Sequence, residues 1–181
     1  MRSHTKITEA TRELIGTRGF DAVTIAAVAD RAGVSRQTVY SNFGTREEMV
    51  SRALAEHMGS LVAGFPDLLA TAESPVAFVV DLIVECRRAF RTDAILGALL
   101  RSQAGNPLFD PGAADRAVEV SAGFLVPMQE RFPEVEGRLE EIAEIAVHLG
   151  WAVVCLDDPV ARPDDVLRAF LERWLTPALS V

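Results

Sequence analysis

At 181 residues, with an apolar fraction of 49%, the chain can fill a real core, which excludes a disordered protein. A formal net charge of −8, taken whole, argues against a nucleic-acid binder. The two cysteines, Cys86 and Cys155, lie in apolar patterns without CxxC or Cys/His metal spacing; they read as core thiols, with a redox sensor as the alternative.

β-branched and aromatic residues nowhere alternate with polar ones over a strand's length, so an all-α protein of about nine helices is expected. The first helix spans about Thr5 to Arg18, with Ile7, Ala10, Leu14 and Ile15 on one buried face. Gly19 ends it, Phe20 can fold back on that face, and His4 falls in a tail ahead of it. Thr24 is the candidate N-cap of a helix from Ile25 to Ala32, which Gly33 breaks, and Ser35 caps a short third helix to about Phe43. Thr45-Arg46-Glu47-Glu48 is a capping box that opens a fourth, running on through Met58 and Leu61.

Beyond Phe65-Pro66 the chain changes character. Ser74-Pro75 starts a helix to about Phe90. Another runs from Asp93 to about Gln103, and the breaker-rich stretch from Gly105 to Gly112 is a loop. The helix from Ala113 to Arg131 should bend or break near Pro127, which lacks the amide hydrogen, and Pro133 ends it. The last two helices are about Arg138–Leu156 and Pro163–Leu179.

The charge is unevenly spread. Residues 1–50 carry seven basic and six acidic side chains, a net of +1, which leaves −9 for residues 51–181. Only charge within roughly 8–10 Å acts strongly on a phosphate, so an acidic body is compatible with a near-neutral headpiece docking on DNA.

The string from Ile25 to Tyr40 has the spacing of a helix-turn-helix. Ala29 is the small residue where two helices cross. Gly33 supplies the positive φ of the turn, and Val28, Ala32, Val34 and Val39 pack the helices together. In that geometry the second helix enters the major groove. Arg36 suits a bidentate pair with guanine and Gln37 one with adenine. Thr38 and Tyr40 reach bases or phosphates, Thr24, Ser35 and Asn42 lie among the short polar groups of the same surface, and Arg46 is placed to hold a phosphate.

These residues sit in a longer resemblance. Thr17–Thr24, Ala32-Gly33-Val34-Ser35, Thr38–Phe43 and Thr45–Val50 resemble the headpiece of tetracycline-repressor (TetR) family regulators over about residues 5–58. Asn42 stands where that family commonly has histidine, and Arg46 where it has lysine. The resemblance implies a DNA-binding domain over residues 1–47 and a ligand-binding and dimerisation domain over 48–181. It further implies a homodimer on a palindromic double-stranded operator, joined through the last two helices and released by a small-molecule effector.

For the dimer face the expected residues are Leu149, Val153, Leu167, Phe170, Leu171 and Trp174. The alternative is burial of both helices within one subunit. Met58, Phe78, Cys86, Phe90, Phe109, Phe124, Met128 and Trp151 are candidates for a mostly apolar pocket, with Gln103, Asn106, Arg101 and Glu85 as polar anchors. Ordinary core packing is the competing reading for each. Glu140, Glu144 and His148 have four-residue spacing but no further ligand, so no metal is expected, and no cofactor either. No Ser/His/Asp set or phosphate-cradling glycine loop is present, so the chain does not read as an enzyme. A regulator without any effector is the second reading. No run of about 18 apolar residues occurs, and Met1–Thr8 has no signal-like apolar run. No membrane partner and a cytoplasmic location are therefore expected.

Overall fold

The structure, a computed structural model, describes residues 2–101, 112–156 and 162–179. Every regular element among them is helical. In chain order they are α1 (Arg2–Arg18), α2 (Ile25–Ala32), α3 (Arg36–Phe43), α4 (Arg46–Val62) and α5 (Phe65–Thr71). There follow α6 (Pro75–Thr92), α7 (Ala94–Arg101), α8 (Ala113–Arg131), α9 (Leu139–Leu156) and α10 (Asp164–Leu179). Single turns of 3-10 helix, Phe20–Ala22 and Pro133–Val135, stand after α1 and α8. None of the described helices is long and apolar enough to cross a membrane.

Local side-chain hydrogen bonds start several of these helices where the sequence placed them. Thr24 Oγ1 accepts from Ala27 N, Ser35 Oγ from Thr38 N and Ser74 Oγ from Ala77 N, each at 3.1 Å. At the start of α4, Glu48 N donates to Thr45 Oγ1 and Thr45 N to Glu48 Oε2, both at 3.1 Å, which completes the capping box. Each such cap contributes about 1 kcal/mol.

Three elements differ from the sequence expectation. α1 begins at Arg2, so His4 lies inside it, with its ring 4.6 Å from that of Phe43. α5 was not anticipated: its N-cap, Gly64, makes no side-chain bond, and Pro66 sits in the first turn, where a missing amide hydrogen costs nothing. α8 runs through Pro127 without interruption. The proline sits at an exposed position, and Leu125 and Met128, both buried, hold the helix on either side of it.

The chain forms two compact units, Met1–Val62 with Arg91–Asn106, and Ala63–Phe90 with Pro107–Val181. In the first, α1 packs on α2, α4 and α7. Its core includes Ile7, Ile15, Val28, Val39 and Met49, all at 0% exposure, each contributing about 1.5–3 kcal/mol by leaving water. Asp93 caps α7 through Oδ1, which accepts from Ile95 N at 2.9 Å and Leu96 N at 3.0 Å. The His57 Nε2 of α4 lies 2.9 Å from the other oxygen, Oδ2. Burial pushes the Asp93 carboxyl up, but the Leu96 amide, His57 and the Ile95 amide together outweigh it and hold the pKa below the ordinary 3.8.

In the second unit α8 and α9 pack together, and the core draws Phe78, Val84, Met128, Ile142, Leu167, Leu171 and Leu175 from α6, α8, α9 and α10. Arg87, 1% exposed, pairs with Asp164 and donates to the Arg162 carbonyl at 3.1 Å. The Arg87 hydrogen bond, with Arg88 beside it, holds the Asp164 carboxyl below its ordinary value. Arg168 pairs with Asp81. Arg131 and Arg138 donate to the carbonyls of Ala72 at 2.8 Å and Ala178 at 2.7 Å.

α10 divides its broad apolar face in two. Leu167, Leu171, Leu175 and Leu179 point into the unit's own core, while Val166, Phe170 and Trp174 are exposed, Trp174 at 60%. Leu167 and Leu171, and with them Val153 of α9, are therefore core residues and not the surface expected of them. A helix with apolar residues at both i and i+1 in four-residue steps has a stripe wider than one packing partner covers. Leu149 is half-buried.

Candidate nucleic-acid interface

The interface is built around one turn. Gly33, at φ +65°, ends α2: its amide donates to Asp30 O at 3.3 Å, and the amide of Val34 to Ala29 O at 3.0 Å. This is the Schellman arrangement, and it needs the left-handed conformation that glycine adopts without a Cβ penalty. Ala29, 1% exposed, lies in the α2 face that packs on its neighbours, as the sequence spacing required. Val39 and Phe43, one turn apart, bury the inner face of α3.

The outer face of α3 presents Arg36, Gln37, Tyr40, Ser41 and Asn42 to solvent, with Tyr40 at 51% exposure, and Thr24 is exposed at the head of α2. The structure thus brings together most of the residues expected on a DNA-reading surface. Some of them already have work within the headpiece. Ser35 Oγ caps α3 and lies 2.8 Å from Thr38 Oγ1. The Asn42 side-chain amide donates to Thr38 O at 2.7 Å. Arg46 is only half-exposed, and its guanidinium donates to two backbone carbonyls, Val23 O at 2.5 Å and Phe20 O at 2.7 Å.

One tie was not legible beforehand. Arg31 of α2 makes a two-pronged pair with Glu13 of α1, its Nε at 2.7 Å from Oε2. The partners are 18 residues apart, so no short spacing signals the pair. Its charge serves to fix α2 on α1.

The effector candidates are scattered. Phe78 and Met128 are buried members of the second unit's core. Cys86, Phe90 and Trp151 are half-buried, and burial, with Glu85 adding to it, pushes the Cys86 thiol up to about 11, which disfavours the reactive thiolate. Phe124 is exposed and meets Phe65 edge-on at 6.3 Å. Met58 belongs to the first unit. Gln103, Asn106 and Phe109 lie outside the described residues. Of the other polar anchors, Arg101 is exposed and Glu85 accepts from Arg88 at 2.6 Å. A cavity of about 660 Å³ in the second unit is lined by Glu73, Ser74, Glu134, Glu172 and their neighbours, and by none of the pocket candidates. His148 Nδ1 lies 2.8 Å from the Glu144 carbonyl of its own helix.

Residues 7–53, which hold this headpiece, match the family of bacterial regulatory proteins of the tetR type. The HTH-type transcriptional repressor BdcR of Escherichia coli is 28% identical over 110 residues, 61% of this chain and 55% of BdcR. The HTH-type transcriptional activator FasR of Mycolicibacterium smegmatis is 36% identical over 62 residues, 34% of this chain and 28% of FasR. The chain thus spans about half or less of the length of these curated relatives. The crystal structure of the TetR family repressor AlkX from a Dietzia strain superposes with a TM-score of 0.70 at 23% identity, covering 97% of this chain and 94% of that one. The headpiece is thus similar in sequence to that of tetR-type bacterial regulatory proteins, and the all-α fold of AlkX is shared along nearly the whole chain.

Proposed function

We propose that the chain is a repressor that binds a palindromic operator as a homodimer through α3 and is released by a small, largely apolar ligand. The observation that carries the DNA reading is the outer face of α3. Arg36, Gln37 and Tyr40 project from a helix whose inner face is buried and whose start is fixed by the Gly33 turn and the Ser35 cap. A rigid helix with bidentate-capable side chains in its first turn suits major-groove reading. Thr24, Thr38 and Asn42 supply short contacts beside it. The homodimer is supported by the apolar strip Val166, Phe170 and Trp174 that α10 leaves uncovered within one subunit. Two copies of that strip, related by a two-fold axis, would cover each other. The effector is supported by the half-buried Cys86, Phe90 and Trp151 of the second unit, and release would require it to bind the two states with different affinity.

The test is selection of genomic DNA fragments by the purified protein at about physiological salt, where non-specific phosphate binding is weak. Recovery of one short palindrome, with affinity falling at least about a hundredfold when Arg36 and Tyr40 are both replaced by alanine, is the expected result. A folded protein that enriches no sequence, or one that binds equally well without those two side chains, would refute the reading.

A further inference from the structure

We infer that Arg46 is a positioning residue that staples the two ends of the helix-turn-helix together. The inference rests on the DNA-binding reading above for its consequence, but not for its geometry. Arg46 Nε donates to Val23 O and Nη2 to Phe20 O, carbonyls 23 and 26 residues earlier in the chain. The third nitrogen, Nη1, lies 3.6 Å from the Glu47 carboxylate. Two of the five N–H groups of the fork are thereby taken up by backbone carbonyls.

What the staple closes is the reading element itself. Phe20 and Val23 have their side chains in the core, at 4% and 0% exposure, so their carbonyls are fixed anchor points. Val23 directly precedes Thr24, the N-cap of α2. Arg46 follows the end of α3 by three residues. The segment between the anchors and the guanidinium therefore contains all of α2, the Gly33 turn and all of α3. The turn fixes the angle between α2 and α3 from inside this segment, and Arg46 fixes its two ends from outside. The first turn of α4 is held at the same point, so a rotation of α4 would pull on the α1–α2 connection through this side chain.

The residue type matters. A guanidinium is a planar fork that can hold two carbonyls at once, whereas a lysine ammonium is a compact point charge on a flexible stem. As a phosphate contact, lysine would serve nearly as well as arginine. As a staple it would not.

The experiment compares wild type, Arg46→Lys and Arg46→Gln in two measurements. One is the melting temperature of the free protein. The other is affinity for the palindromic fragment selected by the wild type, as a function of salt. The staple predicts that both variants melt lower, by about 2–4 °C, and bind about tenfold more weakly. A phosphate contact predicts that Arg46→Lys melts and binds like the wild type, while Arg46→Gln loses about one unit of slope for each subunit. That second pattern would overturn the inference. So would a wild-type melting temperature in both variants. If the wild type selects no fragment, the DNA reading has failed, and the melting measurement alone still decides whether Arg46 is a staple.

Discussion

The two units of this molecule are held by different kinds of polar contact. In the first, helix starts are set by bonds reaching two or three residues: Thr24 to Ala27, Ser35 to Thr38, Thr45 to Glu48, Asp93 to Ile95 and Leu96. In the second, the guanidiniums of Arg87, Arg168, Arg131 and Arg138 reach across 77, 87, 59 and 40 residues. The first unit also has longer ties, Arg31 to Glu13, Arg46 to Phe20 and Val23, His57 to Asp93 and His4 to Glu56. Local bonds make the headpiece a stiff platform for the outer face of α3. Long-range pairs make the body depend on the placement of whole helices. An effector that moves one helix there would act on such pairs.

The sharpest way to break this comparison is at the Arg87–Asp164 pair. Asp164→Asn takes one charged partner from the buried Arg87 guanidinium and should cost about 2–3 kcal/mol, read by urea denaturation. Arg87→Met removes the buried charge and leaves Asp164, which is 38% exposed and still has Arg88 at 3.2 Å. It should cost less, about 1–2 kcal/mol. Equal stabilities for wild type and Asp164→Asn would show that the body does not depend on this long-range tie.

A smaller effect is expected in the headpiece. Gly33→Ala puts a methyl group where nothing lies within 4 Å, so the loss is conformational and not steric. A left-handed alanine costs about 1–2 kcal/mol, which corresponds to a fall of about 2–6 °C in melting temperature. A variant as stable as the wild type would show that the turn is not set locally.

The smallest effect is in acid. The folded-state pKa values of Asp93 and Asp164 lie below the ordinary 3.8. The unfolded chain therefore takes up these protons first as pH falls, and the stability these carboxylates contribute is present above the ordinary value. It is lost as pH drops from there through the lowered folded values. Solvent screening keeps the Asp164 share modest. In Asp164→Asn, the fall in stability between about pH 5 and pH 3 should be shallower than in the wild type. An unchanged slope would remove Asp164 from the account.

Much of the headpiece was legible because its determinants are short. Gly33, Ser35 and the Thr45–Glu48 box each act within a few residues, and all three appear in the structure as the sequence implied. α5 escaped because Phe65–Thr71 is too short for a periodic pattern and lacks a side-chain cap. Pro127 does not break α8, whose neighbouring Leu125 and Met128 are buried. The partners of Arg46 were not legible because they are carbonyls more than twenty residues away.

The sequence by itself determined the all-α class, the helix-turn-helix and the outward set of Arg36, Gln37 and Tyr40. Caps, turns and a three-to-four-residue period are local consequences of backbone geometry. Only the tertiary structure decided which stripe of α10 turns inward, Leu167 and Leu171 with it, and which stripe, Phe170 and Trp174, is left exposed. It alone gave Arg31, Arg46 and Arg87 their partners. An apolar side chain is equally content against any apolar surface and a guanidinium with any acceptor in reach, so chain topology makes those choices.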